Sequence, residues 1–183
     1  MTSEDPDIVT LGSTTVYENR WMRVREDRIR RRDGSLSIYG VVDKADFVIV
    51  APIDDGMVHL VQQFRYPIGQ RQWEFPQGGW EGQPDADPLD LARGELEEET
   101  GLRAERMTEA GRLYPLYGAA SHAYRIFLAT GLSQGQRRPE LEEQDMITQA
   151  FSFAAFEAMI LEGVIQDAGT VASYGLLRLK GLI

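Results

Sequence analysis

The chain has 183 residues, of which 43% are hydrophobic and 26% are charged, a composition typical of a soluble globular protein. Its formal net charge of −10 argues against a general nucleic-acid-binding protein, which needs a basic face. Because there is no cysteine, disulfides and thiolate metal sites are excluded. The acidic start, MTSEDPDIVT, has no signal-peptide pattern, and no apolar run reaches the roughly 18 residues of a membrane span, so a cytoplasmic protein is expected.

The first part of the chain predicts strands. Residues 1–12 are polar and are expected to be a flexible tail, whereas residues 13–44 are expected to form N-terminal strands. The pair Asp33-Gly34 stands between two β-like runs, which is a strong hairpin signal and predicts an N-terminal β-hairpin. The arginines at 28–32 could meet nucleic acid, but a solvated hairpin tip is the favoured interpretation.

The next strands are expected to form the core. The apolar run from Phe47 to Ile53 predicts a buried strand, and Asp54-Asp55-Gly56 predicts a turn into a second strand from Met57 to Phe64. A third strand-like stretch, Trp73-Glu74-Phe75, ends in Pro76-Gln77-Gly78-Gly79. The paired glycines allow another group to approach the main chain closely.

The stretch from Asp87 to Leu102 predicts an acidic helix that begins after Asp87 and ends at Thr100. Asp87 is a good N-cap, Pro88 suits the first helical position and Gly101 suits the C-terminal end. Three carboxylates, those of Glu95, Glu98 and Glu99, share one edge that is expected to be exposed. Like charges at this spacing repel by roughly 0.2–0.5 kcal/mol per pair, which favours a bound cation. A solvated acidic surface is the alternative.

The remainder predicts two strands, a polar loop, a last strand and two helices. The strands are Arg112–Tyr114 with Ala123–Leu128, and then Met146–Phe153; the helices are Ala154–Leu161 and Thr170–Leu179. The polar loop, residues 135–145, precedes the last of these strands and contains Glu142 and Glu143. No repeat or linker divides the chain, so a single α/β (α+β) domain over residues 1–183 is expected.

The segment at 79–102 resembles the Nudix hydrolase signature, which runs Gly, five residues, Glu, seven residues, Arg-Glu-apolar-any-Glu-Glu-any-Gly-apolar. Glu95 to Leu102 matches every defined position of its second half. The first half departs, because Gly94 occupies the arginine position and Arg93 lies one residue before it. We interpret residues 79–102 as a Nudix box whose loop is one residue longer, rather than as an insertion within the helix.

This resemblance implies a fold, a metal and a reaction. The fold is an α/β/α sandwich around a mixed sheet. The metal is Mg²⁺, with Mn²⁺ possible, held by the carboxylates of Glu95, Glu98 and Glu99 and a carbonyl near Gly78. The reaction is hydrolysis of a pyrophosphate bond, with Glu98, Glu99, Glu142 or Glu143 as the catalytic residues that activate water. The alternative for the two loop glutamates is surface solvation.

The stretches around Arg65 and Glu74 also resemble the ADP-ribose pyrophosphatase branch of the family. The resemblance implies that these two residues bind the substrate, that Tyr117 stacks on the base, and that the N-terminal strands form a homodimer. An exposed ion pair remains the alternative for Arg65 and Glu74, and a core position for Tyr117. ADP-ribose or a nucleotide sugar is the expected substrate. Two alternative substrates remain, a dinucleoside polyphosphate and an RNA 5′ end. A further alternative is a weakly active ligand-binding or regulatory domain. Neither nucleic acid nor a membrane is the favoured partner.

Overall fold

The structure is a computed structural model that describes residues 6–79, 86–137 and 145–183. It divides into two compact units. Unit 1 comprises residues 6–45 with Tyr114–His122, and unit 2 comprises Asp46–Leu113 with Ala123–Ile183. This division is finer than the single domain that the sequence predicts.

Unit 1 is built on an antiparallel three-stranded sheet in the order β1-β2-β3. The strands are β1 (Ile8–Glu18), β2 (Arg23–Arg31) and β3 (Leu36–Asp43). β2 and β3 form the predicted hairpin: the side chain of Asp33 accepts a 2.9 Å hydrogen bond from Ser35 N–H, and Gly34 has a φ of 83°. An added bridge joins Val42 to Ala120.

One prediction for the N-terminal segment is wrong. β1 begins at Ile8, which pairs with Arg31, so residues 8–12 belong to the sheet and not to a flexible tail. The strands predicted over residues 13–44 are separated at Asn19, whose Oδ1 accepts 2.9 Å hydrogen bonds from the N–H groups of Trp21 and Met22. An asparagine side chain that accepts main-chain hydrogen bonds in this way stabilises a turn. This turn lets β1 pair with β2, and the predicted hairpin is therefore part of a three-stranded sheet.

Unit 2 contains a seven-stranded mixed sheet with the order β10-β5-β4-β9-β8, in which β6 pairs with β5 and β7 with β4. β4 and β9 are parallel, and the other described pairs are antiparallel. The strands are β4 (Phe47–Asp54), β5 (Met57–Arg65), β6 (Gln70–Glu74), β7 (Gln77–Gly78), β8 (Leu102–Leu113), β9 (Tyr124–Gln134) and β10 (Ile147–Ser152). A short 3-10 turn, Tyr66–Ile68, joins β5 to β6.

Helices cover both faces of this sheet. Alternate residues of β4 point to opposite sides. Val48 and Val50 pack with Leu96 of α1 (Pro88–Thr100), whereas Ile49 packs with α2 (Phe153–Leu161) and α3 (Ala168–Leu179). The predicted α/β/α sandwich is therefore confirmed.

The predicted boundaries differ from the structure mainly after α1. β8 begins at Leu102, directly after the helix, so the predicted segment at 112–114 is only its end. A bulge between Glu109 and Gly111 interrupts the alternation of this strand and hides its length in the sequence. No helix in the described part of the chain is long and apolar enough to cross a membrane.

Candidate functional site

The caps of α1 are those that the sequence predicts. The Asp87 carboxylate accepts a 2.8 Å hydrogen bond from Leu89 N–H, and Pro88 follows it. At the other end, Gly101 has a φ of 73° and its N–H donates to the Glu97 carbonyl. The helix is continuous α-helix between these caps, so Glu95, Glu98 and Glu99 share one face without a bulge.

The carboxylates of this face are largely buried, so the prediction of an exposed acidic edge is wrong. Glu95 is 7% exposed and Glu99 is 1% exposed, while Glu98 is half-buried. Their spacing determines which residues share a face, but packing against β4 and β7 determines how that face is covered. Burial of a carboxylate is unfavourable unless hydrogen bonds or cations compensate it, which marks this position for function.

Strand β7 brings main-chain atoms directly against these glutamates. A Cβ atom on Gly78 would lie 2.5 Å from Glu95 Oε2, so only glycine leaves room for this carboxylate. The neighbouring Gln77 N–H donates a 3.2 Å hydrogen bond to Glu99 Oε2. The structure therefore brings Gly78, Glu95 and Glu99 together.

The oxygen atoms at this point suit a hard divalent cation. Mg²⁺ binds carboxylate and carbonyl oxygens and keeps several waters. In residues 6–79, 86–137 and 145–183, no three His, Cys, Asp or Glu side chains are grouped closely enough to hold a metal by themselves. Glu95, Glu98 and Glu99 thus do not form a closed cage, and a bound ion would also take oxygens from water or substrate.

The arginine beside the signature position does not replace the missing one. Arg93 is exposed, and its Nη1 donates a 3.3 Å hydrogen bond to the Ala104 carbonyl of β8. One residue along a helix is a rotation of about 100°, so this side chain is directed away from Glu95.

A cavity of about 300 Å³ lies beside β6 and the start of α3. Its lining includes both predicted binding residues, Arg65 and Glu74. Arg65 Nη2 contacts the Glu74 carboxylate, Arg65 Nε donates to it over 3.1 Å, and Gln63 Nε2 donates over 2.8 Å. Glu74 is 1% exposed, which excludes the alternative of a fully exposed ion pair. Gln77 also lines the cavity, and therefore joins it to Glu99.

The charges around the cavity act in opposite directions on Glu74. Burial raises the pKa of the Glu74 carboxyl above its ordinary 4.5, and the positive charge and hydrogen bonds of Arg65 oppose this rise. The Asp167 carboxylate raises the pKa further. Arg65 is thus the main group that favours the ionised form of Glu74, and the hydrogen bond from Gln63 acts in the same direction.

The sequence predictions missed the wall that α3 contributes. Asp167 is the N-cap of α3 and accepts 2.7 Å hydrogen bonds from Thr170 N–H and from its hydroxyl. The same hydroxyl oxygen accepts from Phe75 N–H, which fixes the main chain next to Glu74. An Asp three residues before Thr, ahead of an apolar helical pattern, signals the cap, but nothing local signals the cavity.

The roles of three further predicted residues are not tested by these contacts. Tyr117 belongs to unit 1 and is 87% exposed, so the alternative of a core position is wrong; its stacking on a base stays a prediction. Glu142 and Glu143 lie outside the residues that the structure describes. Their catalytic role therefore also stays a prediction.

Comparison with known proteins gives consistent matches. Residues 43–173 match the model of the NUDIX domain, and residues 8–42 match that of the nucleoside diphosphate sugar hydrolase N-terminal domain. An ADP-ribose pyrophosphatase of Mycobacterium tuberculosis (strain ATCC 25618 / H37Rv) is 30% identical over 91% of this chain and 81% of its own length. An ADP-ribose pyrophosphatase of Bacillus subtilis (strain 168) is 27% identical over 93% of this chain and 92% of its own. A solved structure described as an ADP compounds hydrolase is 20% identical, covers 99% of this chain and 98% of its own, and superimposes with a TM-score of 0.84, which supports the fold.

Proposed function

The chain belongs to the Nudix family, and from that premise we propose that it hydrolyses the pyrophosphate bond of a nucleoside diphosphate derivative, with ADP-ribose or a nucleotide sugar as substrate. Hydrolysis of ADP-ribose yields AMP and ribose 5-phosphate. Two relatives that align with more than nine-tenths of the chain bear the name ADP-ribose pyrophosphatase, which supports this substrate class.

One observation carries the proposal. Gln77 lines the cavity of Arg65 and Glu74, and its main-chain N–H holds Glu99. A substrate that occupies the cavity with one end therefore has its pyrophosphate near the carboxylates of α1. A binding site and a group of candidate metal ligands are contiguous in unit 2.

Nudix hydrolases generally use divalent metal ions. We assign the ion here as Mg²⁺, with Mn²⁺ as a substitute, and its ligands as the Glu95, Glu98 and Glu99 carboxylates with the Gly78 carbonyl. When bound, such an ion neutralises the negative charge of the phosphoryl oxygens. Gly78 allows the Glu95 carboxylate to lie against β7, and Gln77 orients the carboxylate of Glu99.

The other residues bind substrate and accept a proton. The Arg65 side chain is 38% exposed at the cavity, so its guanidinium can donate to phosphate oxygens while the Glu74 carboxylate keeps it oriented. A glutamate accepts the proton of the attacking water. Glu98 and Glu99 are candidates on α1, and Glu142 and Glu143 are candidates in the loop.

We propose that unit 1 forms a homodimer contact, as its sheet carries exposed apolar side chains. Leu36 is 73% exposed and Ile38 is 60% exposed, both on β3. Burial of such side chains against a second copy is favourable. Ile38→Glu is expected to shift the molar mass in light scattering from that of a dimer to that of a monomer, while a monomeric wild type contradicts the contact.

A pyrophosphatase assay with Mg²⁺ tests the reaction. ADP-ribose, ADP-glucose and diadenosine polyphosphates are compared, and release of AMP is measured by chromatography. Turnover that is highest with ADP-ribose or ADP-glucose supports the proposal. Preference for diadenosine polyphosphates would assign the chain to the dinucleoside polyphosphate or RNA 5′-end class instead.

A ligand-binding or regulatory role is the second candidate, and Gly94 in place of the family's arginine favours it. Calorimetric titration with ADP-ribose separates it from the enzyme. Binding without turnover on any substrate supports the regulatory role, whereas turnover at rates typical of enzymes excludes it.

A further inference from the structure

The last turn of α1, which bears Glu99, is tied to the segment that follows β9. Arg137 Nε donates a 2.8 Å hydrogen bond to the main-chain carbonyl of Glu99. The Thr148 hydroxyl of β10 donates to the same carbonyl over 3.4 Å. Next to this turn, Gly135 N–H donates to the Gly101 carbonyl over 2.6 Å. These contacts fix the main chain at the end of α1 through residues that lie outside the helix.

The Nη2 group of the Arg137 guanidinium adds no stabilising hydrogen bond within the described part of the chain. Its Nη2 atom is buried and has no hydrogen-bond partner among residues 6–79, 86–137 and 145–183. A buried donor without an acceptor opposes folding, whereas the Nε hydrogen bond and the position at a helix C-terminus favour it. Because these contributions have opposite signs, stability alone does not explain an arginine at this position.

Helix α1 itself supplies no arginine to its glutamates. Gly94 has no side chain, and Arg93 donates to Ala104 on β8. Arg137 donates to the main-chain carbonyl of Glu99 in the last turn of this helix. We propose that Arg137 is a positioning residue that holds the turn of α1 bearing Glu99. The inference rests on the proposed function, in which Glu99 is a metal ligand, but Mn²⁺ binding can be measured without any turnover.

The geometry explains how a main-chain contact reaches a carboxylate. Arg137 donates to the main-chain carbonyl of Glu99, and Gln77 N–H donates to the Oε2 atom of the Glu99 side chain. Two anchors on one residue limit both its Cα position and its rotamer. Residues that orient metal ligands in this way commonly change metal affinity 10–100-fold when they are replaced.

Direct binding of Mn²⁺ to the full chain, measured by electron paramagnetic resonance, tests the inference. Arg137→Met keeps an unbranched apolar side chain as far as the Nε position but removes all the hydrogen-bond donors. We expect Mn²⁺ affinity to fall about tenfold, kcat to fall by a similar factor with KM within twofold, and Tm to change by less than about 3 °C. Arg93→Met is the matched control, and we expect each value to stay within twofold of the wild type.

Other results would overturn the inference. Mn²⁺ affinity within twofold of the wild type in Arg137→Met excludes a positioning role, and a raised KM with unchanged kcat makes Arg137 a substrate ligand instead. If Arg137→Met does not fold, Arg137→Lys is judged by the same criteria, because lysine has no donor at the Nε position. An inactive wild type would refute the proposed reaction, but Mn²⁺ binding needs no turnover and still decides the role of Arg137.

Discussion

Two glutamates of unit 2, Glu74 on β6 and Glu99 on α1, are each only 1% exposed, yet their surroundings differ. Glu74 lies against the guanidinium of Arg65 and the amide of Gln63. Glu99 accepts from the main-chain N–H of Gln77 and neighbours Gly78 and Glu95. Glu74 is therefore compensated by side chains of the chain itself, whereas the α1 carboxylates are the ones that we propose as ligands of a cation.

The largest effect on turnover is expected from the replacement of Glu99, which we propose as a metal ligand. Glu99→Gln keeps the shape of the side chain but removes the charge needed by a metal ion, so we expect kcat to fall about 10³-fold, or about 4 kcal/mol in the barrier. Glu97→Gln is the control, because Glu97 lies on the same helix but forms an ion pair with the exposed Arg103 of β8. Near-normal turnover of Glu99→Gln in steady-state assays, with a folded circular dichroism spectrum, would refute the metal assignment.

Gly78→Ala tests whether the glutamates need the space beside β7. The new Cβ would lie 2.5 Å from Glu95 Oε2, so Glu95 must move and we expect kcat to fall about 10–100-fold. Gly175→Ala is the control, since no atom lies within 4 Å of its Cβ position and alanine favours the α3 helix by roughly 0.5–1 kcal/mol. Equal activity of the two variants would show that the approach to Gly78 is not required.

Arg65→Met tests the other half of the comparison, because it leaves Glu74 buried without its cation. Breaking a fully buried pair costs about 3–5 kcal/mol, but Arg65 is 38% exposed, so we expect the unfolding free energy to fall by about 1–2 kcal/mol. KM should rise at the same time. Arg125→Met, which removes an exposed pair with Glu109, should cost less than about 1 kcal/mol in the same urea titrations. Equal losses in the two variants would contradict the special role of Arg65.

The smallest effect is the pH dependence of stability at Glu74. Its pKa is raised above 4.5 by burial, so its contribution to stability is present below that pH and declines as pH rises through the folded-state pKa. The Tm difference between wild type and Glu74→Gln should therefore become less favourable to the wild type from about pH 4.5 upward. Differential scanning fluorimetry between pH 4 and pH 8 measures it. A difference that grows in favour of the wild type would show that Arg65 lowers the pKa more than burial raises it.

The features of the site that sequence can predict are local ones. The caps Asp87 and Gly101 act on neighbouring residues, and so the limits of α1 are predicted correctly. The helical spacing likewise shows that Glu95 and Glu99 share a face. Their burial depends on β7 and β4, which lie elsewhere in the chain, and spacing carries no information about that contact.

The features that sequence reasoning missed depend on distant contacts. Ile8 looks like part of a polar tail until β2 is available to pair with it. Asp167 reads as an ordinary N-cap, and its place in the cavity wall requires β6 and α3 to be neighbours. Arg137 has no distinguishing pattern at all, because its partner is a main-chain carbonyl of another element. Such contacts become visible only in three dimensions.

The parallel pairing of β4 with β9 has a consequence for the newly made chain. Phe47 pairs with Tyr124, so a ribosome must synthesise much of the protein before β4 gains this neighbour. Until then β4 lacks its strand neighbour β9, and the face of β4 that bears Ile49 lacks its partners in α2 and α3; closure of so long a loop is also entropically slow. The strand next to the glutamates is therefore the segment that we expect to be most prone to aggregation during translation, and most dependent on a chaperone.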